Sequence, residues 1–376
     1  MTYDRALRAL NLELTDKIPL LGTIGDAEFA ERITGISRHN YEEHIHALYR
    51  TLDVDMVYRM GIRNEQSMHA WEEKKVEQTV YGSFEDFRED FPFTDAWHTA
   101  YKGCRVARTP TATYLWVAER PFKTYDELKR YLKRYDPRED EERSVKEIAE
   151  NYKESWGCLQ ETLGGLTLVA GEFYLTLLTF FIAHIGWKFL ARLIYQDQNL
   201  LDEALAKYAE VSKRHVEAWS TTGIKAFVSH DDIATELGPM VSPTWYWEHL
   251  FPLYRKIWQA IRDEGIKLIF VSDGDYTPLI DGLVWAGVDG LKINPDARLS
   301  HTQLTRILAE YGGRKVLSIS MRREKMIHGS RKEIISELSF LMSLAKRYNG
   351  VFMHQEDKPA HLDAYYETWV KNRIRK

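Results

Sequence analysis

From residue 164 onward, short runs of apolar and β-branched residues alternate with longer segments whose apolar positions recur at helical spacing. The runs predict strands at 166–170, 225–229, 267–272, 290–293, 315–320 and 351–354. Strands that alternate with helices of ten or more residues are typical of repeated βα units around a parallel sheet. The pattern therefore predicts an α/β fold for this part of the chain.

Local signals mark the ends of the helices between these strands. Ser242 and Pro243 are suited to the N-cap and first position of a helix that ends at Glu264 and Gly265, and a second helix at 331–348 ends before Gly350. The amino-terminal runs 18–22 and 55–59 add two strands and bring the total close to eight. We therefore expect a single (β/α)8 TIM-type barrel domain over residues 1–376.

The segment 67–123 departs from this rhythm, because it is rich in aromatic and charged residues and contains one strand-like run at 113–117. We interpret it as an insertion in the amino-terminal third of the barrel. Insertions of this kind cover a barrel mouth or form a dimer contact. The sequence leaves both roles, and with them a homodimer, open.

Charge and hydropathy narrow the class of partner. The net charge of −5, with Lys and Arg spread among Asp and Glu, gives no attraction for nucleic acid or an anionic membrane. The apolar stretch 164–185 falls short of the ~20 residues of a spanning helix and fits a strand followed by a buried helix. The two cysteines and the polar amino terminus favour a cytoplasmic protein without a disulfide framework or secretory signal.

Polar side chains follow almost every predicted strand. They are Arg59, Glu172, His230, Asp232, Asp273, Asp275, Asn294, His354 and Glu356. Because the carboxyl ends of all strands meet at one face of a (β/α)8 barrel, these side chains predict an active site of acidic and histidine residues at that face.

Each of these residues also has an ordinary structural explanation. Asp275 precedes Tyr276-Thr277-Pro278 and fits a helix N-cap equally well, and Asp232 fits a cap or a turn. A strand-end histidine such as His354 is often part of a packed core. Asp273 is the strongest functional candidate, because Gly274 beside it allows a ligand or another backbone to approach closely.

Several segments together resemble the uroporphyrinogen decarboxylase superfamily, and the resemblance covers nearly the whole chain. They are 5–11, 15–20, 230–234, 238–243, 246–252, 262–265, 272–275 and 286–290. The superfamily includes tetrapyrrole decarboxylases and zinc methyltransferases that serve corrinoid or thiol acceptors. The resemblance implies the same barrel and an enzyme of one of these kinds.

The chain departs from the site patterns of both branches. The segment 22–26 lacks the arginines of the decarboxylases, and no acid stands at 60–61, where their key aspartate would fall. The methyltransferase His-x-Cys turn reads Val271-Ser272-Asp273, and the last strand offers His354 and Glu356 in place of a cysteine. Tetrapyrrole decarboxylation is disfavoured and a thiolate zinc site is excluded, but Asp273, His354 and Glu356 remain as oxygen and nitrogen ligands for zinc.

The resemblance leads to one main hypothesis and two alternatives. The main one is a methyltransferase that moves a methyl group from a small donor, such as a methoxylated aromatic, to a corrinoid on a partner protein. The assigned catalytic residues are Asp273, His230, Asp232 and Glu356, and the substrate-binding residues are Glu172, Arg59, Asn294 and Asp275. Zinc, or a carboxylic acid without metal, would activate the donor oxygen. The alternatives are a lyase acting on a carboxylated substrate and a barrel that only binds.

Overall fold

The computed structural model describes residues 2–22, 27–37, 39–58, 78–80, 104–108, 113–117, 120, 122–139, 141, 143–174, 176–293, 297–354 and 359–375. Its centre is a parallel sheet. In chain order its strands are β1 (Leu20–Leu21), β2 (Met56–Val57), β3 (Leu168–Val169 and Gly171–Phe173), β4 (Ala226–His230), β5 (Lys267–Val271), β6 (Gly290–Lys292), β7 (Val316–Ile319) and β8 (Val351–His354). The sheet runs in the order β3-β2-β1-β8-β7-β6-β5-β4-β3, so it begins and ends on the same strand.

The two segments of β3 close this sheet into a barrel. Leu168–Val169 pairs with β2 and Gly171–Phe173 pairs with β4, both in parallel. Between them the Ala170 N–H donates to the Val57 carbonyl at 2.9 Å, which continues the ladder to β2. A sheet whose first and last segments belong to one strand leaves no open edge, and the predicted eight-stranded TIM-type barrel is confirmed.

Helices follow the strands and surround the barrel. The α-helices are Thr2–Leu10, Ala27–Thr34, Tyr41–Leu52, Tyr125–Arg134, Val145–Leu163, Leu178–Ile185, Trp187–Gln196, Gln198–Ser220, Pro243–Trp245, Phe251–Ile257, Gln259–Asp263, Ile280–Ala286, His301–Tyr311, Arg323–His328, Arg331–Ala345 and Leu362–Asn372. A π-helical turn, Tyr246–Leu250, joins two of them, and 3-10 turns lie at Pro137–Glu139, Gly164–Leu166 and Thr277–Leu279. Ser242 caps the predicted helix at 243, and a capping box of Ser330 and Glu333 begins the one at 331.

Successive side chains of each strand point to opposite faces of the sheet, and this divides the core into two layers. Val228 and Ile269 point into the barrel, where they pack with Ala6 and Ala9 of the first helix. Phe227, on the opposite face of its strand, joins the larger core between the barrel and the outer helices. The inner layer fills the barrel from the amino ends of the strands, so the polar residues at their carboxyl ends form its mouth.

The amino ends of the strands form a floor that contains buried charges. The Asp55 carboxylate, which is fully buried, accepts from the Arg5 guanidinium at 2.7 Å, the Leu20 N–H at 2.7 Å and the Arg373 guanidinium at 3.3 Å. Arg373 lies in the last residues of the chain. This carboxylate therefore joins the first helix, the first two strands and the carboxyl terminus.

The observed bounds differ from the predicted ones most in β3. The predicted strand 166–170 begins later and continues to Phe173, so Gly171 and Glu172 lie within the strand and not after it. A Cβ at Gly171 would approach Ile224 Cδ1 to 2.6 Å and the Trp219 ring to 2.8 Å, which explains why a glycine occupies this strand position. The predicted strand end is wrong because glycine commonly ends a strand, whereas here the packing of Ile224 and Trp219 requires a glycine within it.

The described parts of the segment 67–123 form a small antiparallel sheet of Gln78–Val80, Cys104–Arg108 and Thr113–Val117, and the last of these strands was predicted. Most of the remaining segment lies outside the described residues, and its role as an insertion stays a prediction. In the described part of the chain no single helix has the length and composition of a membrane span; the helices Leu178–Ile185 and Trp187–Gln196 meet these criteria together but are bent by 108°.

Candidate active site

A buried carboxylate fixes the turn after β4. Asp231 is fully buried, and its carboxylate accepts from the backbone N–H groups of residues 177–179 at 2.7–2.9 Å and from the Tyr254 hydroxyl at 2.6 Å. Three backbone donors at the start of the helix Leu178–Ile185 make Asp231 its cap in trans. Because Asp231 points into the protein, its neighbours His230 and Asp232 are held on the side of the barrel mouth.

The turn after β5 is fastened to the turn after β4. The Ile233 N–H donates to Ser272 Oγ at 3.0 Å, and the Asp273 N–H donates to Asp232 Oδ1 at 2.9 Å. A side chain of each turn therefore accepts a hydrogen bond from a backbone N–H of the other turn. The two turns are held together, and the backbone of Asp273 lies against the carboxylate of Asp232.

Gly274 allows this close approach. Its φ is +77°, and a Cβ at this position would lie 2.4 Å from the Thr235 carbonyl oxygen. The Asp275 N–H donates to the same carbonyl at 2.8 Å. Of the two explanations for Gly274 that the sequence offered, the approach of another backbone is the one observed.

Three of the predicted residues lie together at the mouth. His230 Nε2 is 3.0 Å from Asp232 Oδ1, and one ligand atom each of His230, Asp232 and Asp273 lie within 4.8 Å of one another. His230 is buried, with the edge-on ring of Tyr174 at 4.4 Å, whereas Asp273 is exposed. The group therefore has a buried imidazole on the side of the barrel interior and a solvent-exposed carboxylate on the side of the solvent.

Other polar residues share the inner face of the barrel near this group. Strand alternation places Glu172 of β3 there, half-buried. His354, buried at the end of β8, has Nδ1 at 2.9 Å from Ser318 Oγ of β7. Lys292, at the end of β6, is buried with its ammonium 6.0 Å from the Tyr58 ring centroid. The mouth therefore combines several acids with one buried lysine among the described residues.

Lys292 is not among the site residues that the sequence predicts. The run 290–293 predicts a strand, and the candidate from this part of the chain is Asn294, which follows the strand. The alternation of side-chain directions along a strand could have identified Lys292. Leu291 packs against the outer helices, so its neighbours Gly290 and Lys292 lie on the opposite face, which points into the barrel.

The remaining predicted residues have different outcomes. Arg59, Asn294 and Glu356 lie outside the described residues. Asp275 accepts from the Thr277 N–H at 3.0 Å and from its hydroxyl at 2.6 Å, but the N-cap of the turn Thr277–Leu279 is Tyr276, and the substrate-binding role of Asp275 stays a prediction. The metal set Asp273, His354 and Glu356 stays a prediction, and the group that the described residues bring together contains His230 and Asp232 with Asp273.

The group of three fits a zinc ion in the kind and spacing of its atoms. Zinc binds imidazole nitrogen and carboxylate oxygen at about 2.0–2.2 Å, and catalytic sites commonly use three protein ligands. Donor atoms within 4.8 Å of one another can reach a common ion with small side-chain rotations. His230 Nε2 is oriented by its contact with Asp232, and the backbone holds Asp232 through the bond from Asp273 N–H.

Comparison with known proteins places this barrel in a family. The sequence profile described as uroporphyrinogen decarboxylase (URO-D) matches residues 103–349. This match covers most of the chain, and the chain therefore belongs to the uroporphyrinogen decarboxylase family. No curated protein sequence matches the chain.

Solved structures support the fold. A methyltransferase from Methanosarcina mazei aligns with a TM-score of 0.60 and 15% identity, covering 98% of this chain and 98% of that chain. The IOLI protein, solved with a binding zinc atom, aligns with a TM-score of only 0.31 and 12% identity over 66% of this chain and 84% of its own, which is too weak to support an argument. The likeness to the methyltransferase supports a common barrel fold.

Proposed function

We propose that this protein is a methyltransferase that takes a methyl group from a small ether donor and passes it to a reduced corrinoid on a partner protein. The observation that carries the proposal is the group of His230, Asp232 and Asp273 at the barrel mouth. Its support is the position of this group at the carboxyl ends of β4 and β5, where enzymes of this fold carry out chemistry. The methyltransferase from Methanosarcina mazei, which has the same fold, gives further support.

The chemical requirement is charge neutralisation at an oxygen. When the methyl carbon bonds to a strong nucleophile, its bond to the donor oxygen breaks and the oxygen keeps the electron pair. An alkoxide or phenolate is a poor leaving group unless a proton or a cation meets that charge. Asp273 is exposed at the mouth and can approach a bound donor, and His230 and Asp232 lie directly behind it.

The residues of the group would divide this task. As a general acid, Asp273 would deliver a proton to the departing oxygen, while Asp232, which contacts His230 Nε2 and accepts from the Asp273 N–H, positions the imidazole and the backbone of Asp273. A zinc ion held by His230, Asp232 and Asp273 would supply Lewis-acid neutralisation of the same oxygen when bound. A methoxylated aromatic is the donor class we favour, because a phenolate is the easier of these oxygens to release.

Asp273→Ala tests the proposal directly. With an aryl methyl ether as donor and cob(I)alamin as acceptor, we expect transfer to fall by at least about 1000-fold, because the leaving oxygen loses its neutralising group. The formation of methylcobalamin is followed by absorbance. Asp263→Ala, on the outer surface, is the matched control and should retain full activity.

Two results would contradict the proposal. One is an Asp273→Ala variant with unchanged turnover, which would remove this residue from the chemistry. The other is a wild-type protein that binds neither aryl methyl ethers nor cobalamin, which would favour a barrel without this activity. Circular dichroism of both variants separates loss of activity from loss of fold.

The buried Lys292 favours a second candidate, a lyase acting on a carboxylated substrate. An ammonium group inside the barrel can pair with a substrate carboxylate and hold it at the mouth. Lys292→Met distinguishes the two functions. It should abolish binding of an aromatic carboxylic acid if the substrate is an acid, and it should leave the affinity for a neutral aryl ether within about threefold if the donor is uncharged.

A further inference from the structure

The chain segment 176–179 lies against the end of β4 and the turn that follows it. The Thr176 N–H and hydroxyl both donate to the His230 carbonyl, at 2.9 and 3.0 Å, and Thr176 is fully buried. The N–H groups of residues 177–179 donate to the Asp231 carboxylate at 2.7–2.9 Å. Two successive residues of β4 and its turn are therefore held by this one segment.

Thr179 extends these contacts to the next residue of the turn, Asp232. Its Oγ1 accepts from the Asp232 N–H at 2.7 Å and donates to the Asp232 carbonyl at 3.4 Å. The N–H of Thr179 donates to Asp231 Oδ1 at 2.7 Å. One hydroxyl thus contacts both polar backbone groups of Asp232, and it holds the backbone from which the Asp232 carboxylate projects.

The Asp232 carboxylate connects the members of the group at the mouth. Its Oδ1 is 3.0 Å from His230 Nε2 and accepts from the Asp273 N–H at 2.9 Å. One ligand atom each of the three residues lie within 4.8 Å of one another. A side chain turns with the backbone that carries it, so a rotation of the Asp232 peptide would move this carboxylate away from both partners. The geometry of the group therefore depends on Thr179, which is not a member of it.

A purely structural role of the Thr179 hydroxyl is the alternative. Threonine hydroxyls commonly bond to backbone groups, and such bonds contribute to stability wherever they lie. The turn, however, is already attached to the helix Leu178–Ile185 by the backbone donors that Asp231 accepts. The hydroxyl acts on the peptide that follows this attachment, and that peptide belongs to a residue of the proposed site. This position favours a role in orienting Asp232.

We propose that Thr179 is a positioning residue of the site, whose hydroxyl holds the Asp232 peptide in the orientation that directs its carboxylate toward His230 and toward a zinc ion bound at the mouth. Thr179 acts through Asp232 and is not one of the three ligands. Partners that orient the ligands of a metal ion contribute to its affinity, because a misplaced ligand must first be moved into position. The inference rests on the proposed function, since it concerns the same group.

Zinc affinity of the full-length protein, measured by competition with a chromophoric chelator, tests this role. Thr179→Val replaces the hydroxyl by a methyl group and keeps the branched shape, and we expect the affinity for zinc to fall by about 10–100-fold. Thr179→Ser restores the hydroxyl and should recover most of this loss. A merely structural residue would lower the stability in urea and leave the zinc affinity unchanged.

Thr222→Val is the matched control. Thr222 is buried, and its hydroxyl donates to the Trp219 carbonyl at 2.7 Å where the helix Gln198–Ser220 ends. This position precedes β4 and lies at the opposite end of the strand from the mouth. The variant loses the same kind of bond and should bind zinc like the wild type, even if it is less stable.

Equal zinc affinities of Thr179→Val and the wild type would overturn the proposal. Equal losses in Thr179→Val and Thr179→Ser, or a wild-type protein that binds no zinc, would also overturn it. If Thr179→Val does not fold, as judged by circular dichroism, Thr179→Ala also lacks the hydroxyl and decides. The titration requires neither a methyl donor nor cobalamin. A loss of affinity that follows the hydroxyl, in a protein without methyl transfer, would contradict the proposed function and support the role of Thr179.

Discussion

The floor and the mouth of the barrel both contain aspartates at strand ends, but the surroundings of these aspartates are opposite. At the floor, Asp55 is fully buried between the guanidinium groups of Arg5 and Arg373. At the mouth, Asp232 and Asp273 lie beside each other and beside His230, and Asp273 is exposed. The floor pairs opposite charges out of water, whereas the mouth brings two carboxylates and an imidazole together with the Asp273 carboxylate in reach of solvent.

This difference indicates that the aspartate of the floor serves stability and that the aspartates of the mouth serve function. A buried carboxylate between two cations uses its charge to pair with them and is not accessible to a ligand. Its removal leaves the two buried cations without a counter-charge. At the mouth, Asp232 contacts His230 Nε2 at 3.0 Å, and the exposed carboxylate of Asp273 stays in reach of a ligand. Ionisable side chains that converge at the carboxyl ends of barrel strands are typical of a functional site.

The largest expected effect is at the floor. Asp55→Asn keeps the shape of the side chain but removes the charge that Arg5 and Arg373 share, so we expect the free energy of unfolding to fall by about 3 kcal/mol or more. Asp232→Asn, the matched change at the mouth, should alter it by less than about 1 kcal/mol. Urea unfolding followed by circular dichroism measures both, and equal losses would show that the mouth carboxylate is also structural.

The next effect concerns metal affinity at the mouth. His230→Ala removes the only nitrogen ligand of the group, and we expect the affinity for zinc to fall by more than about 100-fold, since losses of outer-shell partners alone cost 10–100-fold. Competition with a chromophoric chelator measures the change, and His361→Ala on the surface is the control. If His354→Ala weakens zinc binding and His230→Ala does not, the metal would belong to the set predicted from the sequence, with His354 and Glu356.

The smallest effect tests the contact between the two turns. Gly274→Ala places a Cβ 2.4 Å from the Thr235 carbonyl oxygen at a φ of +77°, so we expect a loss of about 1–3 kcal/mol in unfolding free energy and weaker zinc binding. Gly313→Ala is the control for φ alone, because Gly313 has a φ of +72° and no atom within 4 Å of the added Cβ. Identical results for the two variants would mean that the contact with Thr235 does not hold Asp273 in place.

The barrel strands could be predicted from local sequence, because each depends on a short run of residues. The predicted runs 225–229, 267–272 and 351–354 are short and bounded by helix signals, and the structure has strands at Ala226–His230, Lys267–Val271 and Val351–His354. Residues at the ends of parallel strands must meet at one face, so the candidates His230, Asp232 and Asp273 followed from the same local pattern. The predicted bounds of β3 differ from the observed ones because Gly171 is locally compatible with a strand end. The requirement for a small residue at this position comes from Trp219 and Ile224, which lie far from it in sequence.

Which of these residues lie together depends on tertiary contacts. Asp231 and Asp232 are neighbours of the same type, yet one caps a helix start at residues 177–179 and the other faces the mouth, and no local signal distinguishes them. The pairing of Asp55 with Arg373 joins residues more than 300 positions apart, and burial of Lys292 depends on the closure of the whole barrel. Hydropathy and turn signals act over a few residues, whereas these contacts depend on which strand ends the closed sheet brings into register.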